Sequence, residues 1–228
     1  MEKPDFDLRV YAVTDRFWTG EMTLEQQVEE ALKAGVTMIQ LREKNMEPEA
    51  FLAEAEAVKK QTDAYGVPLI INDNVQVALA CQAAGVHVGQ ADGDPEEVRR
   101  LIGPGMILGV TAKTVEQAKR AEAAGADYLG SGAVFGSSTK KDAKPMSMEL
   151  LMEITGAVKI PVAAIGGICQ ENADQLCGTG IAGIAVVSGI FGAEDIGSAV
   201  KSLRSSAERI LRAGRQPFTE RNIKKKEN

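Results

Sequence analysis

Short apolar segments rich in β-branched residues alternate along the chain with longer stretches whose apolar positions recur every three to four residues. The first kind reads as strand and the second as amphipathic helix. Because the strand-like segments are apolar at consecutive positions, they belong to parallel sheet covered on both faces. They occupy 9–15, 38–43, 68–73, 86–90, 107–112, 128–134, 161–167 and 183–191. Between them, Leu24, Val28, Ala31 and Leu32, then Phe51, Leu52, Ala55 and Val58, each form one apolar stripe able to cover a sheet.

The helix ends carry their own signals. Thr23 with Gln26 and Thr114 with Gln117 have capping-box spacing, and Asp94, Pro95 and Glu97 combine an N-cap, a proline at the first helical position and an early acid. Gly35, Gly66, Gly85 and Gly125 fall where left-handed C-caps are expected. The last helix is expected to end near Ala213, leaving a polar tail over 214–228. Lys224, Lys225 and Lys226 in that tail read as a frayed end or a docking segment.

Eight strand–helix units within 228 residues fit an α/β fold of the (β/α)8 TIM-barrel type, a single domain over 1–213. The competing doubly wound sheet commonly stops at five or six strands. Its nucleotide-binding signals are also missing, since no G-x-G-x-x-G follows the first strand and no G-K-[ST] occurs.

Composition narrows the class of partner. With 44% apolar and 25% charged residues the chain reads as a soluble globular protein, and no apolar run reaches the roughly 20 residues of a membrane span. A net charge of −6 repels polyanions, so nucleic acid is excluded while a small anionic ligand is not. Three cysteines, an odd number without a leader pattern, point to a reducing cytoplasm. Both a monomer and a homo-oligomer are compatible with the sequence.

In a barrel of this type the chemistry sits where strands run into the following loops. The second strand ends in Gln40, Arg42, Glu43 and Lys44, the third in Asn72, Asp73 and Asn74, the fourth in Gln90 and Asp92, and the fifth in Thr111 and Lys113. Alternation aims Gln40 and Arg42 to one side. Asp73 and Asp92 end consecutive strands, which brings two like charges together. They either hold a hard cation such as Mg2+, completed by waters and phosphate oxygens, or cap the helices that follow. Arg42, Lys44 and Lys140 converge on the same mouth and suit a diphosphate whose charge grows as it leaves. The loop over 136–145, GSSTKKDAKP, is long for its place and suits a cover over substrate.

Ile165, Gly166, Gly167 and Ile168, with Val187, Ser188 and Gly189, offer small residues where backbone N–H groups can approach a phosphate monoester. His87, the one histidine, lies between Val86 and Val88 and reads as a core residue unless alternation turns it inward. Cys81, Cys169 and Cys177 read as buried helical thiols, with Cys169 the one that a helix N-terminus would activate. Trp18 and the eight methionines read as packing. A barrel binding one phosphate monoester and one metal-bound diphosphate suggests a transferase that works by charge stabilisation.

The order YAVTD, QLREK, IND, GVHVGQ-x-D, LGVTA, S-x-TKKD, IGGI and VVSGIF, from Tyr11 to Phe191, resembles the thiamine-phosphate synthase family. The resemblance implies a (β/α)8 enzyme that joins hydroxymethylpyrimidine diphosphate to a thiazole phosphate, plain or carboxylated, releasing diphosphate. It implies a pyrimidine diphosphate site from Gln40, Leu41, Arg42, Glu43, Lys44, Asn72, Thr111 and Lys140, with Arg42, Lys44, Lys140 and Thr111 catalytic. Asp73 and Asp92 would hold Mg2+. Ser137, Ser138, Thr139, Gly167, Val187 and Ser188 would hold the thiazole phosphate. Thr111 stands where Ser is common in the family, Ser137 where Thr is common, and Cys169 in place of a frequent Thr. The rival readings are a thiazole tautomerase on the same barrel, a phosphosugar isomerase or aldolase, and a non-catalytic sensor of phosphorylated ligands.

Overall fold

A computed structural model describes residues 3–136 and 145–214. Eight parallel strands pair in chain order and close on themselves. They are β1 (Val10–Val13), β2 (Met38–Leu41), β3 (Leu69–Asn72), β4 (Gly85–Val88), β5 (Ile107–Thr111), β6 (Tyr128–Gly132), β7 (Val162–Ile165) and β8 (Gly183–Val186). The helices are α1 (Leu24–Ala34), α2 (Pro48–Ala64), α3 (Val75–Ala80), α4 (Pro95–Ile102), α5 (Val115–Ala123), α6 (Met148–Ala157), α7 (Ser188–Phe191) and α8 (Ile196–Ala213).

Alternation along each strand divides the apolar residues into two cores. Val10, Ala12, Ile39, Leu41, Ile71, Val86 and Val110 face outward and pack beneath the helices. Tyr11, Val13, Met38, Ile70, Ile107, Tyr128, Ala163 and Ala185 face inward and fill the barrel, with Leu8 beneath them and Phe6 packed against them. Consecutive apolar positions in the strands follow from this: both faces are buried, each against a different layer.

The helix starts largely follow their signals. Thr23 and Gln26 form a reciprocal capping box. At α5 only half of it forms: Thr114 accepts from the Gln117 N–H, while the Gln117 side chain accepts from the Lys113 N–H. Asp94 accepts from the Glu96 N–H ahead of α4, whose first residue is Pro95. Gly35, Gly66 and Gly125 take positive φ behind α1, α2 and α5, but Gly85 does not. Gly85 lies inside β4, where a Cβ would come within 2.3 Å of the Ile107 carbonyl oxygen. The left-handed residue after α3 is Gln82, at φ 54°.

Two further expectations change at the end of the barrel. The eighth strand stops at Val186, and Ser188–Phe191 form α7 instead of continuing it. A 3-10 turn, Ala173–Leu176, stands after β7 in place of a full helix. Cys169 is therefore only half-buried and Cys177 exposed; only Cys81, which caps α3, is a buried thiol. Cys169 lies ahead of the 3-10 turn and not at a helix N-terminus, so the activation expected there has no helix to supply it, and burial followed by Glu171 pushes its thiol up. The last helix ends at Ala213 as expected, and the Lys-rich tail after Gly214 lies outside the described residues.

Candidate active site

Many of the strand-end residues named from sequence open on one mouth. Gln40, Arg42, Asn72, Thr111, Gly167, Val187 and Ser188 all line it, joined by Tyr11, His87 and Lys113. Leu41 does not: it lies between Gln40 and Arg42, so alternation sends its side chain into the outer core. Glu43 also turns away, to an ion pair 2.9 Å from Arg16 Nε. Burial, and then the charge of Glu54, push its carboxyl up. Ser137, Ser138, Thr139 and Lys140 lie outside the described residues.

Two loops lock the cationic side of the mouth. Asp15 accepts from the Phe17 N–H with Oδ1 at 3.0 Å, fixing the 3-10 turn Arg16–Trp18. Its Oδ2 stands 2.7 Å from Arg42 Nη1, so one carboxylate both shapes the first loop and aims the guanidinium. Arg16 reaches across in the other direction, to Glu43 and to Glu54 on α2. Arg42 is thus mostly buried yet faces the mouth, a planar donor ready for phosphate oxygens.

The helix-cap reading of the two aspartates fails, because other residues perform that task. Asn74 accepts from the Val77 N–H to cap α3, and Asp94 caps α4. Asp73 instead sits at φ 63° with its N–H on the His87 carbonyl oxygen at 2.8 Å. Asp92 Oδ2 accepts from the Gly89 N–H, and a Cβ at residue 89 would lie 2.5 Å from that oxygen. The Asp73 carboxyl is pushed up by burial and next by the charge of Asp92, with Lys44 opposing. An Asp73 carboxyl whose ionisation is made costlier by the neighbouring Asp92 charge fits a hard divalent cation, whose charge would remove the repulsion. Among the described residues no group of three or more His, Cys, Asp or Glu side chains forms such a cluster, so waters and phosphate oxygens would complete the shell.

The opposite side is built from backbone. Gly166 and Gly167 take φ of 107° and 65°, and added Cβ atoms would lie 2.4 Å from Ala133 Cβ and 2.7 Å from the Phe135 carbonyl oxygen. Asn172 ties this loop down, accepting from the Cys169 N–H and donating to the Gly167 carbonyl oxygen. A Cβ on Gly189 would come within 2.3 Å of the Ile168 carbonyl oxygen. The loops after β7 and β8 therefore press together through glycine at the start of α7. Tyr11 lines the mouth without being named from sequence, and the inward phase of β1 was the available signal for it.

The thiamine monophosphate synthase family profile matches residues 10–190. The chain belongs to the thiamine monophosphate synthase family. A thiamine-phosphate synthase of Ruminiclostridium cellulolyticum is 51% identical over 209 residues, covering 92% of this chain and 96% of that protein. One from Enterococcus faecalis is 48% identical, covering 90% and 97%. Among solved structures, the thiamine phosphate pyrophosphorylase of Pyrococcus furiosus superposes with a TM-score of 0.83 at 39% identity, covering 90% of this chain and 97% of that one. A 3-hexulose-6-phosphate synthase, at 15% identity and a TM-score of 0.65 over 87% of this chain and 99% of that one, shares the fold alone. Family membership therefore agrees with the barrel.

Proposed function

We propose that the chain is a thiamine-phosphate synthase, transferring the aminopyrimidine methylene of 4-amino-2-methyl-5-(diphosphooxymethyl)pyrimidine to the nitrogen of 4-methyl-5-(2-phosphooxyethyl)thiazole or its carboxylated form. The observation that carries this reading is the pairing of Asp73 with Asp92 near Lys44, next to Asn72, which lines the same mouth as Arg42, Gly166, Gly167 and Ser188. A diphosphate belongs beside the carboxylates and cations and a phosphate monoester beside the glycines.

The chemistry balances without a protein base. The C–O bond to diphosphate breaks and its electron pair leaves with the diphosphate, while the amino group of the pyrimidine feeds charge to the methylene carbon. The thiazole nitrogen lone pair then forms the new C–N bond. Arg42, Lys44 and Lys140 stabilise the departing charge, and Thr111 and Asn72 add polar contacts to the same substrate. Asp73 and Asp92 would hold Mg2+, which would supply positive charge toward the departing diphosphate. Ser137, Ser138, Thr139, Gly167, Val187 and Ser188 hold the thiazole phosphate. Free thiols at Cys81, Cys169 and Cys177 support a reducing cytoplasm as the compartment. Among the described residues no helix is long and apolar enough to cross a membrane.

The test is direct. Purified protein with both phosphorylated rings and Mg2+ is expected to form thiamine phosphate and diphosphate in equal amounts, and chelating the metal is expected to stop it. Turnover of the thiazole phosphate alone would support a tautomerase, and binding of both ligands without product a sensor.

A further inference from the structure

Beneath the mouth, a chain of polar side chains crosses the barrel interior. Gln40 Nε2 on β2 donates to the Tyr11 hydroxyl. That hydroxyl is 2.7 Å from the Tyr128 hydroxyl, which is 3.0 Å from His87 Nδ1. His87 Nε2 is in turn 3.0 Å from Thr111 Oγ1 on β5. The chain therefore links Gln40 on β2 and Thr111 on β5, both assigned above to the pyrimidine diphosphate site. Sequence makes room for it. A Cβ on Gly109 would stand 2.3 Å from the Tyr128 hydroxyl oxygen and 2.5 Å from His87 Nδ1, where that hydrogen bond runs.

The protons in this chain are limited in number. Burial pushes both phenols well above their ordinary range, so each keeps one O–H to give. With Gln40 donating to Tyr11, Tyr11 gives its proton to Tyr128, and Tyr128 gives its own to His87 Nδ1. A neutral ring then carries its proton on Nε2 and donates to Thr111 Oγ1, which leaves the Thr111 O–H to point into the mouth. The reverse polarity places the ring proton on Nδ1, turns the Gln40 amide over and spends the Thr111 proton on His87. In either polarity the two ends change together, since a mixed order sets proton against proton or lone pair against lone pair.

We propose that His87, acting through Tyr128 and Tyr11, is a positioning residue that couples the hydrogen-bond polarity of Gln40 to that of Thr111. In its neutral Nε2–H tautomer it aims the Thr111 hydroxyl proton at the anionic diphosphate and leaves the Gln40 carbonyl oxygen to accept from an amino group of the pyrimidine. The choice of ligands rests on the proposed reaction; the polarity is a property of the free protein.

One histidine in the sequence makes the test clean. Untagged protein labelled with 15N-histidine is expected to show, at neutral pH, a single ring with Nδ1 bare and Nε2 protonated. A ring protonated at Nδ1 alone, or at both nitrogens, overturns the proposal. Tyr128→Phe, checked for an intact barrel by circular dichroism, is expected to abolish the tautomer bias. It is also expected to lower kcat/KM for the pyrimidine diphosphate by roughly tenfold with the KM for thiazole phosphate unchanged. A folded Tyr128→Phe variant with the original tautomer and original kinetics overturns the coupling. If the labelled ring is as expected but no thiamine phosphate forms, the polarity stands and the reaction assignment is what falls.

Discussion

Asp73 occupies a backbone conformation, φ 63°, that asparagine and aspartate tolerate better than other branched or apolar side chains. Asp73→Asn therefore changes charge without adding backbone strain, whereas Asp73→Ala would add both. The sign of the stability effect follows from the raised carboxyl. Stability from a group whose folded pKa is raised is fully present below its unfolded value, about 3.9, and is lost as pH rises through the folded value. At neutral pH without metal, Asp73 is thus a cost that asparagine removes. Asp73→Asn is expected to melt at the same temperature as wild type or a degree or two higher in the absence of Mg2+. Added Mg2+ should raise the wild-type midpoint and not that of the variant, and turnover should fall by at least about a hundredfold. A variant that melts lower and still turns over would remove Asp73 from the metal site.

At the scale of the elements, glycine shows how position decides the effect of one methyl group. Gly156 lies in α6 with nothing within 4 Å of the place a Cβ would take, so Gly156→Ala should stabilise by about 0.5–1 kcal/mol through helix propensity. Gly166 has φ 107° and the Ala133 side chain 2.4 Å from where its Cβ would stand. Gly166→Ala should cost about 1–3 kcal/mol and raise the KM for thiazole phosphate, read by urea unfolding and steady-state kinetics. The strand centres and most helix starts are legible because burial on both faces writes continuous apolar runs and because caps use few residue types. The run 183–191 is not, since Ser188, Gly189, Ile190 and Phe191 suit a short helix turn as well as a strand end. Gly85 misleads because glycine serves close strand contact as readily as a C-cap, and Gln82 takes the left-handed position instead. The conversion of Asp73 and Asp92 from caps to a facing pair depends on Asn74 and Asp94, whose competing claim to the caps only the backbone settles. The Tyr11–Tyr128 contact joins residues 117 apart, which no local pattern records.

Over the whole molecule, the barrel is closed sideways by the pairing of β1 with β8 and from below by the chain that enters β1. Leu8 is buried, and the Phe6 ring lies 5.8 Å from that of Tyr128, on the side away from the mouth. Lys3 pairs with Asp127, whose other oxygen accepts from the Leu108 N–H and lies 2.6 Å from Arg99 Nη2, so the segment is tied to β5 and α4 at once. Phe6 is then the apolar floor under the interior polar chain, shielding Tyr128 from water. Because Phe6 is only half-buried, Phe6→Ala should cost less than a wholly buried phenylalanine, about 2 kcal/mol. For a chain of this size that corresponds to a thermal midpoint lower by roughly 4–8 °C. Turnover well below the midpoint should change little, because the lost contact lies at the far end of the strands from Arg42, Asp73 and Asp92. Scanning calorimetry beside an assay at low temperature separates the two. An unchanged midpoint would show that the entering segment does not close the barrel, while a full loss of turnover in a folded variant would show that the floor controls the mouth.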